Sequence, residues 1–153
     1  MGTGILRGAA AGAAGTTALN AVTYLDMVLR GRESSSTPEE AVEQLPVPVP
    51  GEGETRKNRI SGLGSLSGIM TGIGVGALFG MLRRAGLRPP LPVGAVLVGA
   101  VAMASTDVSM TALRVTDPRR WTAQEWLSDI VPHLVYGAVT YATLQAFGKR
   151  SAG

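Results

Sequence analysis

The sequence predicts an all-α membrane protein: a bundle of four transmembrane helices with glycine-zipper packing, and a short amphipathic helix in the membrane interface. Three observations lead to this prediction. The mean hydropathy of the 153 residues is positive (+0.21) although the segment 30–59 is strongly polar. Four long apolar segments make up most of the remaining chain. Glycines recur every four residues inside two of them, a spacing that aligns small residues along one helix face.

The composition excludes several classes of protein. Cysteine is absent, which removes disulfides, thiolate metal sites and cysteine nucleophiles. The net charge is only +3, and the basic residues lie near the ends of apolar segments. This pattern is typical of membrane topology signals and lipid-headgroup contact rather than of a nucleic-acid interface. We therefore expect one membrane domain over 1–153, with the lipid bilayer as a partner and no nucleic acid.

The first apolar segment, about 4–29, is predicted to be the first span. A cleaved signal peptide is the competing interpretation, because Arg7 precedes an alanine-rich run. The apolar pattern continues to residue 29, which favours a span. A row of small or polar residues at four-residue spacing runs along it: Gly4, Gly8, Gly12, Thr16 and Asn20.

The segment 30–59 is predicted to be a polar loop on the membrane surface, with simple disorder as the alternative. Thr37 as N-cap, followed by Pro38 and by Glu40 three residues on, matches a capping box. A short helix from Pro38 to about Leu45 should follow. The alternating prolines of 46–50 favour an extended polyproline II segment.

The second predicted span, about 60–82, has the most regular glycine pattern. In water each interior glycine would cost about 1 kcal/mol relative to alanine. In a bilayer the backbone must satisfy its own hydrogen bonds, so the segment forms a helix regardless. Its glycines leave a groove that another helix can enter, and the similar row in the first span is expected to pack there. The predicted packing residues are Gly64, Gly68, Gly72, Gly76 and Gly80, with Gly8 and Gly12 of the first span.

The third and fourth spans are predicted at about 93–113 and 129–147. The short proline-rich link at 88–92 implies an antiparallel hairpin of the second and third spans. Thr122 and Glu125 match a second capping box. Because tryptophan prefers the headgroup region, Trp121 and Trp126 favour an interfacial amphipathic helix before the fourth span.

Four spans place both ends of the chain on one side of the membrane and the loops 30–59 and 114–128 on the other. These two loops carry more Lys and Arg than the opposite side does. The positive-inside rule therefore predicts that they are cytoplasmic, in a multi-pass protein of the bacterial inner membrane.

Ionisable and polar residues are expected to converge where the spans meet these loops. Asp107 lies about 9 Å inside its span, too deep for a short side chain to reach water, so it needs a partner within the bundle. That partner could be structural: an ion pair with Arg59 or Arg114, or a hydrogen bond to Asn20 or to a serine. The predicted cluster contains Asp26, Asp107, Asp129, His133, Asn20 and Arg59.

Familiar catalytic motifs do not match the sequence, and a serine triad using His133 would have to recruit its serine from another helix. The glycines of 74–80 do not match a dinucleotide fingerprint, and 64–68 does not match a nucleophile elbow. No cofactor is expected. Carboxylates with one histidine could hold a divalent cation such as Mg²⁺ or Mn²⁺, so the metal question stays open.

Three parts of the chain together resemble a known kind of protein. They are the segment ALNAVTYLDMVLRGR (18–32), the glycine row of the second predicted span, and the pair TDPRRW and DIVPHLVYG (116–121 and 129–137). These segments resemble small four-span integral membrane proteins of high-GC actinobacteria. The resemblance covers most of the length and implies no activity.

Three functions from different classes remain open. The favoured hypothesis is a binding or assembly (scaffold) subunit, in a homo-oligomer or a larger membrane complex, with the acid and histidine cluster at one membrane face. The second is proton- or cation-linked transport or permeation. It would require a homo-oligomer, because four glycine-rich helices leave little volume for a pore. The third, and least favoured, is a membrane enzyme acting on lipid headgroups.

Overall fold

The computed structural model describes residues 2–149, which form five α-helices joined by short loops. The helices are α1 (Gly2–Arg30), α2 (Thr37–Glu43), α3 (Gly53–Arg84), α4 (Leu91–Ala112) and α5 (Ala123–Lys149), with a 3₁₀ turn at Pro118–Arg120. No strand occurs among these described residues, and the predicted all-α class is confirmed.

The four long helices form a ring in which neighbours run antiparallel. Helix α1 packs against α3 and α5, and α5 packs against α1 and α4. Helix α4 contacts α3 much less, so this fourth side of the ring is the loosest. The short helix α2 lies against the first half of α3.

Two of the helices, α3 and α4, are long and apolar enough to cross a membrane. Most of the apolar residues in these two helices are exposed on the surface of the protein, unlike those in the core helix of a water-soluble domain. Helices α1 and α5 are of similar length but less apolar.

Helices α1 and α3 touch through their backbones at glycines. A Cβ atom placed on Gly76 would lie 2.5 Å from the Cα of Gly12, and one placed on Gly12 would lie 3.1 Å from the Cα of Gly76. Cβ atoms placed on Gly76 and Gly80 would also clash with the carbonyl oxygens of Gly8 and Gly4, respectively. A larger residue at these positions would have to push two backbones apart, so the contact requires glycine.

The glycine row of α3 does not stay in this contact along its whole length. Gly72 is the last glycine that still contacts α1: a Cβ atom placed on it would clash with the Thr16 side chain, and it would also lie 3.4 Å from the Tyr136 ring of α5. Gly64 is instead covered by Pro38 of α2. Gly68 is exposed, and a Cβ atom placed on it would have no neighbour within 4 Å. The physical reason is geometric: each step of four residues drifts by about 40° around a helix, so the row turns away from α1.

The segment 30–59 is more helical than predicted. Helix α2 begins one residue earlier than expected and ends at Glu43, and Ser36 rather than Thr37 is its N-cap residue. The Ser36 hydroxyl donates to the Glu40 carboxylate at 2.5 Å instead of capping a backbone amide. The shift is possible because Pro38 fits either of the first two helical positions, whose amides have no acceptor within the helix.

Helix α3 begins at Gly53, seven residues before the predicted start of the span. Its polar first turns are held by α2: Arg56 pairs with Glu43 at 2.9 Å, and Ser61 donates to Glu39 at 3.0 Å. A helix of 32 residues is about 48 Å long, well beyond a hydrocarbon core of about 30 Å. The polar start therefore does not conflict with an apolar span further along the same helix.

Helices α3 and α4 end in the same kind of turn. Gly86 (φ 104°) and Arg114 (φ 59°) adopt the left-handed conformation just after each helix. The next amide then bonds back to the last helical turn, from Leu87 to the Leu82 carbonyl at 3.0 Å and from Val115 to the Met110 carbonyl at 2.9 Å. These are Schellman motifs, and they reverse the chain sharply enough for antiparallel neighbours.

The interfacial helix expected before the fourth span is not a separate element, because α5 is continuous from Ala123 to Lys149. The second capping box is confirmed: the Thr122 amide donates to the Glu125 carboxylate at 2.6 Å, and the Glu125 amide donates to Thr122 Oγ1 at 3.3 Å. Pro132 consequently lies inside the helix. The helix tolerates this proline at the loss of one backbone bond, the one to the Ser128 carbonyl.

Two tyrosines of α5 fill the centre of the ring, each only 1% exposed. The Tyr136 hydroxyl donates to the Gly72 carbonyl at 2.6 Å, and the Tyr136 ring lies against Gly15 of α1. The Tyr141 ring lies in the space that Gly94 leaves on α4. Glycines therefore admit both neighbouring backbones and large aromatic rings.

We expect Gly76→Leu to lower the free energy of unfolding by about 3 kcal/mol, the upper end of the range that is typical of overpacking. The cost should be high because the opposing atoms belong to the backbone and cannot rotate away. Thermal unfolding in detergent measures the loss. Gly74→Leu is the matched control, since Gly74 lies on the same helix with nothing within 4 Å of a placed Cβ atom. Equal melting temperatures for the two variants would contradict the backbone contact.

Candidate functional site

Glycines bring the acids of α4 and α5 to one level of the bundle. A Cβ atom placed on Gly137 of α5 would lie 2.6 Å from the amide nitrogen of Gly99 on α4. Asp107 follows Gly99 by eight residues, and Asp129 precedes Gly137 by eight. Because the helices are antiparallel, both acids lie about 12 Å from this contact in the same direction. The two acids therefore lie at the same height along the helices, near the turn that links α4 to α5.

Asp129 and His133 form an acid–imidazole pair along one turn of α5. His133 Nδ1 lies 2.8 Å from the Asp129 carbonyl oxygen and 3.3 Å from Oδ1 of the carboxylate. The side chain of His133 is 12% exposed and that of Asp129 is 23% exposed. The second carboxylate oxygen, Oδ2, is buried and has no hydrogen-bond partner within residues 2–149.

Asp107 joins this pair from α4. Its side chain is half-buried and close enough for charge–charge interaction with both Asp129 and His133. No residue in the range 2–149 forms a hydrogen bond or ion pair with the Asp107 carboxylate. The expected structural partners, Arg59, Arg114 and Asn20, therefore do not hold it. The two carboxylates repel each other, and a protonated His133 would attract both.

Asp26 lies outside this group of three. Its Oδ2 atom accepts from Arg30 at 2.5 Å and from Arg32 at 2.6 Å. Arg30 also donates to Ser128 Oγ at 2.8 Å, so Asp26 is connected to the residue before Asp129 without touching Asp129 itself. The i, i+4 pairing of Asp26 with Arg30 expected from the sequence is confirmed.

Arg59 and Asn20 are also separate from the three residues. Arg59 donates to the Pro50 carbonyl at 2.8 Å, in the connection before α3. Asn20 is half-buried, and its side chain makes no hydrogen bond with the described part of the chain. Across residues 2–149, no group of three or more His, Asp or Glu side chains could hold a metal ion. The divalent-cation hypothesis therefore has no ligand set in the described residues.

The turn after α4 borders an open cleft of about 550 Å³. Its two acids already have partners. Two hydrogen bonds from the Arg119 guanidinium to Asp117, at 2.9 and 3.0 Å, hold the pKa of that carboxyl below its usual value. The Thr122 amide, in the capping box, likewise lowers the pKa of the Glu125 carboxyl. These acids organise the turn and are not free for chemistry.

Reasoning from the sequence missed the residues that create the site. Gly99 and Gly137 determine how close α4 and α5 approach, and Tyr136 and Tyr141 fix the rotation of α5. Neither glycine belongs to a four-residue row, so the spacing signal that marked α1 and α3 is absent here.

Comparison with known protein families, characterised proteins and solved structures gives no match to this chain. The kind of protein is therefore described by its fold and its candidate site alone. It is an all-α protein with two helices able to cross a membrane, and with two acids and a histidine grouped between α4 and α5.

We expect Asp107→Asn to fold and to melt at a higher temperature than the wild type. The change removes a half-buried charge that has no hydrogen-bond partner and that repels Asp129. Each kcal/mol gained should raise the melting temperature by about 2–4 °C in a chain of this size. Asp26→Asn is the control, because it breaks two ion pairs and should melt lower. A similar loss in both variants would mean that Asp107 forms a stabilising salt bridge.

Proposed function

We propose that the chain is a four-span integral membrane protein of the bacterial inner membrane and that it acts as a binding or assembly subunit. The exposed apolar side chains support a lipid environment. Leu66 of α3, Met70 of α3 and Val96 of α4 are each more than half exposed. In water such apolar surfaces would drive association. The backbone contact between α1 and α3 would serve as a glycine zipper, since helices in lipid associate through close packing of small residues.

The proposed topology has α1, α3, α4 and α5 as spans, with the loops 30–59 and 114–128 in the cytoplasm. The antiparallel ring supports it, because four consecutive spans must alternate in direction. The excess of Lys and Arg in these loops supports this orientation.

Cysteine labelling tests the topology, since the native chain contains no cysteine. We expect a membrane-impermeant thiol reagent to label Thr3→Cys and Leu87→Cys from one side of intact vesicles and Ser36→Cys from the other. Labelling of Thr3→Cys and Ser36→Cys from the same side would leave α1 outside the bilayer and contradict four spans.

The observation that carries the assembly role is the first half of α3. Every residue from 61 to 70 is exposed except Gly64. Gly62, Ser65 and Gly68 lie at three-residue spacing along one side, and a Cβ atom placed on either glycine would have no neighbour within 4 Å. Small residues facing lipid allow another helix to approach closely. We infer that α3 of a second copy packs here, so that a homo-oligomer forms.

Native mass spectrometry in mild detergent tests this assembly. We expect the wild type to be oligomeric and Gly68→Leu to be monomeric with an unchanged melting temperature, because the added side chain blocks a contact between copies but none within the chain. Val96→Leu on the exposed face of α4 is the control and should remain oligomeric. A monomeric wild type that co-purifies with one defined membrane protein would point to a larger complex, and a monomer without any partner would contradict the assembly role.

Proton- or cation-linked permeation is the second candidate, and one observation favours it. Asp107 has no hydrogen-bond partner and Asp129 Oδ2 is unpartnered within the described residues. Acids held inside a membrane protein often mark proton or ion pathways. If this function is correct, the Asp107→Asn protein will be well folded in liposomes but will have lost a pH-dependent flux that the wild type shows. No observation favours a lipid-headgroup enzyme.

A further inference from the structure

The two ends of the bundle differ sharply in charge. All eleven Asp and Glu residues of the chain lie in 26–54 and 107–129, the segments at the end that holds α2 and the turn before α5. The opposite end, which we call the basic end, is formed by the start of α1, the end of α3, the start of α4 and the end of α5. It contains Arg7, Arg83, Arg84 and Arg88 and no acidic residue.

A cleft of about 200 Å³ opens at the basic end between α1, α3 and α5. These four arginines line it. One wall is apolar and is formed by Leu144, which is buried, and by Phe147, which is half-buried. The cleft therefore combines a concentrated positive charge with an apolar surface.

Arg83 is positioned in this cleft by a buried tyrosine. Its guanidinium carbon lies 5.8 Å from the centre of the Tyr141 ring, and Nη1 donates to the Tyr141 hydroxyl at 3.4 Å. The Tyr141 hydroxyl in turn donates to the Pro89 carbonyl at 2.7 Å. Because Tyr141 is 1% exposed and fixed at both its ring and its hydroxyl, the Arg83 side chain is held in place before any ligand arrives.

The bonds of Arg84 and Arg88 also go to neutral acceptors. Arg84 Nη1 donates to the Thr3 hydroxyl at 3.0 Å, and Arg88 Nε donates to the Arg83 carbonyl at 3.4 Å. None of these contacts compensates a positive charge. Guanidinium groups brought together in this way repel one another, and their paired N–H groups match the oxygens of a phosphate.

We propose that the cleft at the basic end binds the phosphodiester of an anionic phospholipid headgroup, with Leu144 and Phe147 against the first part of its acyl chains. Three features support this ligand: the fixed guanidinium of Arg83, the absence of acids from this end of the sequence, and the apolar wall beside the charge. Basic pockets between transmembrane helices recognise anionic lipids in this manner. Free phosphate shares the charge chemistry but would leave the apolar wall unused. The inference rests on the membrane location proposed above and is independent of the assembly role.

Thermal unfolding in a non-ionic detergent tests the proposal. Phosphatidylglycerol should raise the melting temperature in a concentration-dependent way, whereas phosphatidylcholine and inorganic phosphate at the same concentration should not. The shift should shrink as sodium chloride is added, because salt screens the attraction. If inorganic phosphate stabilises as well as phosphatidylglycerol does, the ligand is a soluble phosphate and the lipid assignment is overturned. If neither stabilises, the site itself is refuted.

Matched variants locate the effect. Arg84→Gln with Arg88→Gln should weaken phosphatidylglycerol binding about 30-fold, since each basic side chain near an anionic surface contributes a factor of about five. Lys57→Gln with Arg59→Gln removes the same charge at the opposite end and should bind as the wild type does. An equal loss in both double variants would refute a specific cleft. Native mass spectra of the same samples report bound lipid and oligomeric state separately, so a failure of assembly would not be mistaken for a failure of lipid binding.

Discussion

The backbone contact between α1 and α3 is the constraint on which the rest of the structure depends. Gly8 and Gly12 meet Gly76 with no side chain between the two helices. At this separation, α1 and α3 together present a surface on which α5 can lie, and the Tyr136 ring enters beside Gly15 and reaches the Gly72 carbonyl. If α1 and α3 stood further apart, the Tyr136 hydroxyl would lose its acceptor and would be buried unsatisfied, which is unfavourable.

Close packing at glycines also determines where Asp107, Asp129 and His133 lie. Helix α4 approaches α5 at Gly99 and Gly137, and the equal distance along each helix from this contact brings Asp107 level with Asp129. The acids are therefore neighbours because of glycines about two turns away, not because of any direct attraction between them. Their mutual repulsion is tolerated because the packing of the helices is decided elsewhere. Sites positioned against their own electrostatics in this way are often functional.

Because α1 and α5 occupy the closely packed side of the ring, α3 and α4 keep large exposed faces and touch each other only loosely. In the membrane assembly proposed above, lipid or a second copy of the chain would cover these exposed faces. Because all acidic residues lie at one end, the charge differs between the two ends of the molecule. The partly paired acids belong to one end and the arginine cleft to the other, so the two would contact different surroundings in a bilayer.

The sequence by itself determined the features that depend on neighbours along the chain. It predicted the four long helices to within a few residues at most ends, the capping box of Thr122 and Glu125, and the pairing of Asp26 with Arg30. It could not determine how far α3 stays in contact with α1, so Gly68 was grouped with glycines from which the drift of the helix separates it. Of the six residues predicted to cluster, only Asp107, Asp129 and His133 come together. Arg59 and Asn20 were assigned to the cluster only from their positions along their spans. The direction in which a side chain points depends instead on the rotation of its helix about the helix axis. The rotation of α5 is determined by Tyr136 and Tyr141, whose rings fill the spaces that glycines of other helices leave. These contacts exist only once the helices have packed, so the sequence alone does not reveal them.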